Sequence, residues 1–258
     1  MKSAVITEEV AAEQRFSRWQ AARIHLGMSL TIALFVIAAM YFLWYPSPYF
    51  KAMGGGGLLM LVIGVDVVIG PLITLIIFNT GKKSLKFDLT CIAVVQIVAL
   101  AYGVSTMFQA RPVYTVFNKD RFDVIIAADV NSTERAKVTD PAYKSLPFTG
   151  PQTVSMDMPS DAKEMQRMLV SGIDVRAFSQ YYATFDSKAK EAAAASKPFA
   201  EWQKAHSATA EKLKSFLTAK AIDETKVGFL PLYTRNEDMT VVLDRDTGKI
   251  LAIAPIAP

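Results

Sequence analysis

Apolar residues crowd into three long runs within the first 110 positions and then thin out into short stretches broken by turns. The runs cover about 27–45, 54–78 and 89–108, each near the roughly 20 residues that a helix needs to cross a bilayer. This pattern predicts a three-helix transmembrane region over 27–109, preceded by an interfacial or cytoplasmic segment, 1–26, and followed by a soluble part, 110–258. The first run closes on Tyr41, Phe42, Trp44 and Tyr45, an interface belt, and Pro46-Ser47-Pro48 stops the helix. It reads as an uncleaved anchor, because the preceding segment is too long and acidic for a signal peptide. In the second run Pro71 has no N–H for the Val67 carbonyl, so a kink is expected near Val67.

Beyond residue 110 the pattern is that of short strands and amphipathic helices. Val113–Phe117 and Phe122–Ile126 flank a polar turn and predict a hairpin. Residues 127–150 read as loop, and Gln152–Met156 as a short strand. A helix is expected from an N-cap at Ser160 to Val170 with Met165, Met168 and Leu169 inward, another over 187–195, and a third from Pro198 to Lys220. Val227–Thr234, Met239–Asp244 and Ile250–Ile253, joined by short turns, predict an antiparallel meander. The expected fold is therefore three transmembrane helices plus an α+β domain. Its sheet is a single antiparallel one, in the order hairpin, helices, three-stranded meander.

Charge sharpens the topology. The net charge is +4, but residues 111–258 carry 20 Lys/Arg against 19 Asp/Glu, so the excess lies beside the spans. That removes a nucleic-acid reading. Lys2, Arg15, Arg18 and Arg23 precede the first run, and Lys82, Lys83 and Lys86 separate the second from the third. The positive-inside rule puts both segments in the cytoplasm and residues 110–258 across the membrane, in the periplasm if this is a bacterial inner membrane.

Candidate chemistry is sparse. His25 and His206 lie in different parts of the chain and read as surface or interface residues. Cys91 reads as a small core residue, the methionines at 156–168 as core filler, and Asp238, Asp244 and Asp246 as solvated turns. No cofactor motif or catalytic constellation is present, so a non-enzymatic role is expected. Asp66 stands apart. A carboxylate at the centre of a lipid-exposed helix costs about 2.5–3.5 kcal/mol, so Asp66 is expected to face protein or water. With Gly70 and Thr74 it makes a small, polar stripe at four-residue spacing. Either Gln96 or Tyr102 in the third run lies within hydrogen-bonding depth. Two readings stay open: a structural polar group bonded to Gln96 or Tyr102, or a contact for a partner helix.

Three stretches resemble a known family. Gly64–Leu89, Ala99–Ile125 and Pro231–Leu251 are similar to type IV pilin accessory proteins of the TfpX/TfpZ kind. The resemblance implies a non-enzymatic inner-membrane protein that acts on the type IV major pilin, with other pilus assembly components as further candidates. Asp66, Gly70, Thr74, Gln96 and Tyr102 are then candidate contacts for the pilin helix, and residues 113–258 for its head. Two other readings compete. The strand order also occurs in PAS-like and Cache-like sensors, which suggests a membrane-anchored ligand sensor. A small proton-coupled membrane protein centred on Asp66 is the other, weakened by having only three spans.

Overall fold

Pro71 cannot donate to Val67, and the helix answers by widening: Gly64–Ile69 is π-helical, between α-helical Gly55–Ile63 and Gly70–Ile77. The computed structural model describes residues 16–258. Among the described residues, three helices are long and apolar enough to span a membrane: α1 (Arg18–Trp44), α2 (Gly55–Ile77) and α3 (Leu85–Gln109). α1 begins well before the apolar run, so the helix continues out of the interfacial segment; residues 1–15 of that segment lie outside the described residues. α1 also ends in a π-helical turn, Ala39–Trp44, ahead of Pro46.

The chain divides into two compact units. The helix unit takes 16–35 and 61–102; the sheet unit takes 36–60 and 103–258. Among the described residues the sheet has eight strands: β1 (Pro112–Asn118), β2 (Arg121–Ile126), β3 (Gln152–Met156), β4 (Tyr182–Thr184), β5 (Lys197–Pro198), β6 (Val227–Tyr233), β7 (Met239–Asp244) and β8 (Ile250–Ala254). Their order across the sheet is β4-β3-β1-β2-β6-β7-β8, with β5 paired to the first part of β6.

The hairpin β1–β2 and the meander β6–β7–β8 are both present and antiparallel. The sheet as a whole is mixed, which corrects the all-antiparallel expectation. β1 pairs parallel with β3, and β2 pairs parallel with β6. The reason is chain length. More than twenty residues separate β2 from β3, and about a hundred separate β2 from β6, ample for crossover connections. The hairpin thus sits in the middle of the sheet, with strands added on both sides, and almost every residue of β1 and β2 is buried.

Among the described residues, two apolar clusters pack the sheet unit. One gathers Tyr114, Val116, Val154, Met168, Phe178 and Tyr182 around the β1–β3–β4 half. The other packs Trp202, Leu213 and Leu217 on Val227, Phe229 and Val242 of the meander. Helix α4 (Ala162–Val170) is capped by Asp161, one residue past the expected Ser160. It buries Met168 but leaves Leu169 66% exposed, against the inward placement expected for it. The helix expected from Pro198 to Lys220 breaks at His206 into α5 (Phe199–Ala205) and α6 (Ser207–Ala219). There the His206 ring stacks on Trp202 at 4.4 Å.

The connection between α1 and α2 is built into the sheet unit. Tyr114 and Val116 point into one core, so Thr115 between them points to the other face, where it meets the Tyr49 hydroxyl at 2.8 Å. The Tyr45 hydroxyl donates to the Met107 carbonyl at 2.7 Å. The Ala52 carbonyl accepts from Thr234 Oγ1 at 2.9 Å and from the amides of Asn236 and Glu237 at 3.1 Å. Lys51 and Glu237 pair at 3.0 Å. Arg111 donates to the Phe108 and Pro147 carbonyls and lies 3.6 Å above the Phe108 ring.

Candidate functional site in the helix unit

The polar stripe of α2, three residues at four-residue spacing, is largely consumed by packing among the helices. Thr74 is buried, and its Oγ1 lies 2.7 Å from His25 Nδ1 on α1. Gly70 is buried against Gln96 of α3; a Cβ at position 70 would stand 1.9 Å from Gln96 Nε2. Only a glycine lets the Gln96 amide approach the helix axis so closely. Asp66 sits on the π-helical turn, one turn before Gly70.

Asp66 is 8% exposed, and its Oδ1 has no hydrogen-bond partner among the described residues. Gln96 packs against Gly70 and makes no hydrogen bond to Asp66 Oδ1. Tyr102 is 74% exposed, on the outer surface of α3. The structure therefore brings together Asp66, Gly70, Thr74 and Gln96, and leaves Tyr102 at the periphery. An unsatisfied buried oxygen in a segment of this hydropathy is costly.

A groove runs beside this cluster. One cavity of about 190 Å³ is lined by His25, Met28, Ser29, Asp66, Gln96 and Ile97 among others. A second, of about 360 Å³, continues past Thr74 to Phe16 and Phe78 and is almost wholly apolar. The two share His25, Met28, Ala93 and Gln96 as wall.

His25 and Ser29 are the members that the sequence reading missed. His25 read as a surface or interface residue, yet it bridges α1 to α2 and lines the groove. The signal was available: Ala21, His25, Ser29 and Ala33 recur at four-residue spacing, a small and polar stripe matching that of α2. Ala21, Ser29 and Ala33 are all buried. Cys91, expected in a core, is instead exposed on α3.

The sheet unit holds charge clusters but no cluster of metal-ligating type among the described residues. Asp123 is 3% exposed and pairs with Arg176, and with Arg121 at 3.4 Å. Burial pushes the Asp123 carboxyl above the usual carboxylate range, while Arg176 and Arg121 pull it back. Arg167 donates to both oxygens of Glu134, at 2.8 and 3.0 Å, and to both of Glu164, at 2.7 and 2.8 Å. Those bonds hold both carboxyls low, Glu164 at about 2. Asp238 and Asp244 accept from backbone amides of their own turns and serve as turn caps.

Comparison with known proteins fits this architecture. A family model described as Fimbrial assembly protein FimB matches residues 13–54. The fimbrial assembly protein of serogroup I from Dichelobacter nodosus is 29% identical over 237 residues, which cover 89% of this chain and 92% of that protein. That of serogroup E1 from the same organism is 28% identical over the same shares. That of serogroups C1 and C2 is 38% identical over 109 residues, 42% of this chain and 83% of that protein. No solved structure matches. With that last relative matched over most of its length, and two others over nearly the whole of this chain, the chain belongs to the fimbrial assembly protein family.

Proposed function

We infer that the chain is a non-enzymatic accessory protein of fimbrial assembly, of the TfpX/TfpZ kind. It sits in a bacterial inner membrane with its sheet unit in the periplasm. There it binds the type IV major pilin and modulates its stability, its assembly into pili or pilus dynamics. The observation that carries this reading is the relation to fimbrial assembly proteins along almost the full chain. The architecture supports it. A fimbrial subunit held in a membrane presents an apolar helix within the bilayer and a folded head outside. A three-helix unit with a part-open polar groove is suited to the first, and an eight-stranded sheet unit to the second.

Asp66, Gly70, Thr74, Gln96 and Tyr102 divide their roles in this reading. Gly70, Thr74 and Gln96 shape the helix packing that holds Asp66 in the groove, and Tyr102 offers an outer contact on α3.

Deleting the chain from a fimbriate cell and quantifying both the major subunit and surface fibres tests the reading. A fall in either, restored by the intact chain, is expected. Unchanged subunit and unchanged fibres would refute it.

A further inference from the structure

Resting on that reading, we propose that the groove beside Asp66 is the seat of one partner transmembrane helix. That helix is apolar and carries a single hydrogen-bond donor at the depth of the carboxyl.

The groove has the dimensions of a helix track. On α1 its wall runs from Ala21 to Ile32, roughly 16 Å at 1.5 Å per residue, or about three helical turns. Its surface is apolar apart from a short polar patch where His25, Ser29, Asp66 and Gln96 converge. Within that patch His25 is bonded to Thr74, and the Gln96 amide packs against Gly70. Among the described residues of the patch, Asp66 alone keeps a buried oxygen, Oδ1, without a partner.

A carboxyl oxygen accepts hydrogen bonds, so the missing partner is a donor. An acyl chain has none to give, whereas a helix with an amide, hydroxyl or ammonium group at mid-depth supplies it. A second copy of this chain suits less well: the hydroxyls of Thr31 and Thr90 are already donated to carbonyls of their own helices. The π-helical turn gives the site its shape, because Gly64–Ile69 sets Asp66 over the groove while Gly70 and Thr74 stay packed.

The test uses the full chain in lipid nanodiscs. Two labelled synthetic helices of Leu and Ala serve as probes, one with a central asparagine and one with leucine there. Energy transfer should show the asparagine helix binding about three- to thirtyfold tighter, the range that one intramembrane hydrogen bond supports. Asp66→Leu should abolish that preference, and Asp66→Asn, which retains an acceptor, should keep most of it. Ile97→Trp fills the groove from a residue that is 66% exposed and leaves Asp66 intact, so it tests the site even where Asp66→Leu does not fold. It should weaken both probes.

Equal binding of the two probes would overturn the proposal. So would a preference that survives Asp66→Leu, indifference to Ile97→Trp, or self-association of the chain through the groove in place of probe binding. Failure here with the deletion phenotype intact would leave the accessory role standing and remove only the groove. A null deletion phenotype with donor-selective binding intact would do the reverse.

Discussion

The hydroxyls of Tyr49 and Thr115 lie 2.8 Å apart, both shut away from solvent, and tie the α1–α2 connection to the central strand of the sheet. Burial pushes the Tyr49 hydroxyl up to about 12, so it stays protonated at every physiological pH. Thr115→Val strands that hydroxyl and should destabilise the sheet unit by about 1–3 kcal/mol. Tyr49→Phe should cost less, and the double variant less than the sum of the two, because residues in one hydrogen bond are coupled. Thermal denaturation of the four proteins in detergent measures this; strictly additive effects would contradict it.

Gly70 and Gln96 make the corresponding test in the helix unit. A methyl at residue 70 collides with the Gln96 amide, which is the far end of a flexible side chain and can swing aside. Gly70→Ala should therefore be mild, and Gly70→Leu should cost about 1–3 kcal/mol through overpacking. Adding Gln96→Ala to Gly70→Ala should restore the lost stability. Melting temperatures in lipid decide it, and no rescue would mean that the two residues do not meet.

Acid should loosen the sheet unit through Arg167. Glu164 is held at about 2, against an ordinary 4.5, by hydrogen bonds from Arg167 and then Tyr181; Glu134 is held low by the same arginine. A depressed carboxyl gives its full stabilisation above the unfolded value and loses it as pH falls through the folded one. Asp123 works in the opposite sense, because its carboxyl is raised by burial. With Glu134, Glu164, Asp174, Asp223 and Asp244 lowered against Asp123 raised, the melting temperature should hold above pH 5 and drop between about 4.5 and 2. Arg167→Met should lower stability at neutral pH and flatten the acid limb. An acid limb of unchanged slope would contradict this.

Topology gives a fourth prediction. Lys51 and Glu237 pair at 3.0 Å and so lie on one side of the membrane. In a Cys91→Ala background, Lys51→Cys and Glu237→Cys should both react with a membrane-impermeant thiol reagent in intact spheroplasts, and Lys83→Cys should react only after lysis. Labelling of Lys83→Cys alone in intact cells would invert the assignment.

The parts legible in the sequence are those set by strong one-dimensional signals. Three apolar runs of bilayer length announce three helices wherever they occur, and Pro71 announces a distortion at Val67, here realised as a π-helical turn. The hairpin and meander are readable because Asn118–Arg121 and Asp244–Lys249 are short turns between β-branched and aromatic stretches. What escaped depends on partners far away in sequence. Parallel pairing of β2 with β6 leaves no local mark, and β4 and β5 are too short to carry a pattern. Asp66 was visible as an anomaly. Its neighbours are harder to read: Gln96 stands at the right depth but meets Gly70, Tyr102 faces outward, and a lone histidine such as His25 carries no signal until Thr74 is beside it.

The central claim is physical engagement of a fimbrial subunit outside the cytoplasm. A photo-crosslinking residue at position 251, half exposed on the edge strand β8, tests it in living cells. The account predicts covalent capture of the major fimbrial subunit, identified by mass spectrometry. Reproducible capture of other envelope proteins with no subunit, from this position and from others on the sheet unit, would contradict it.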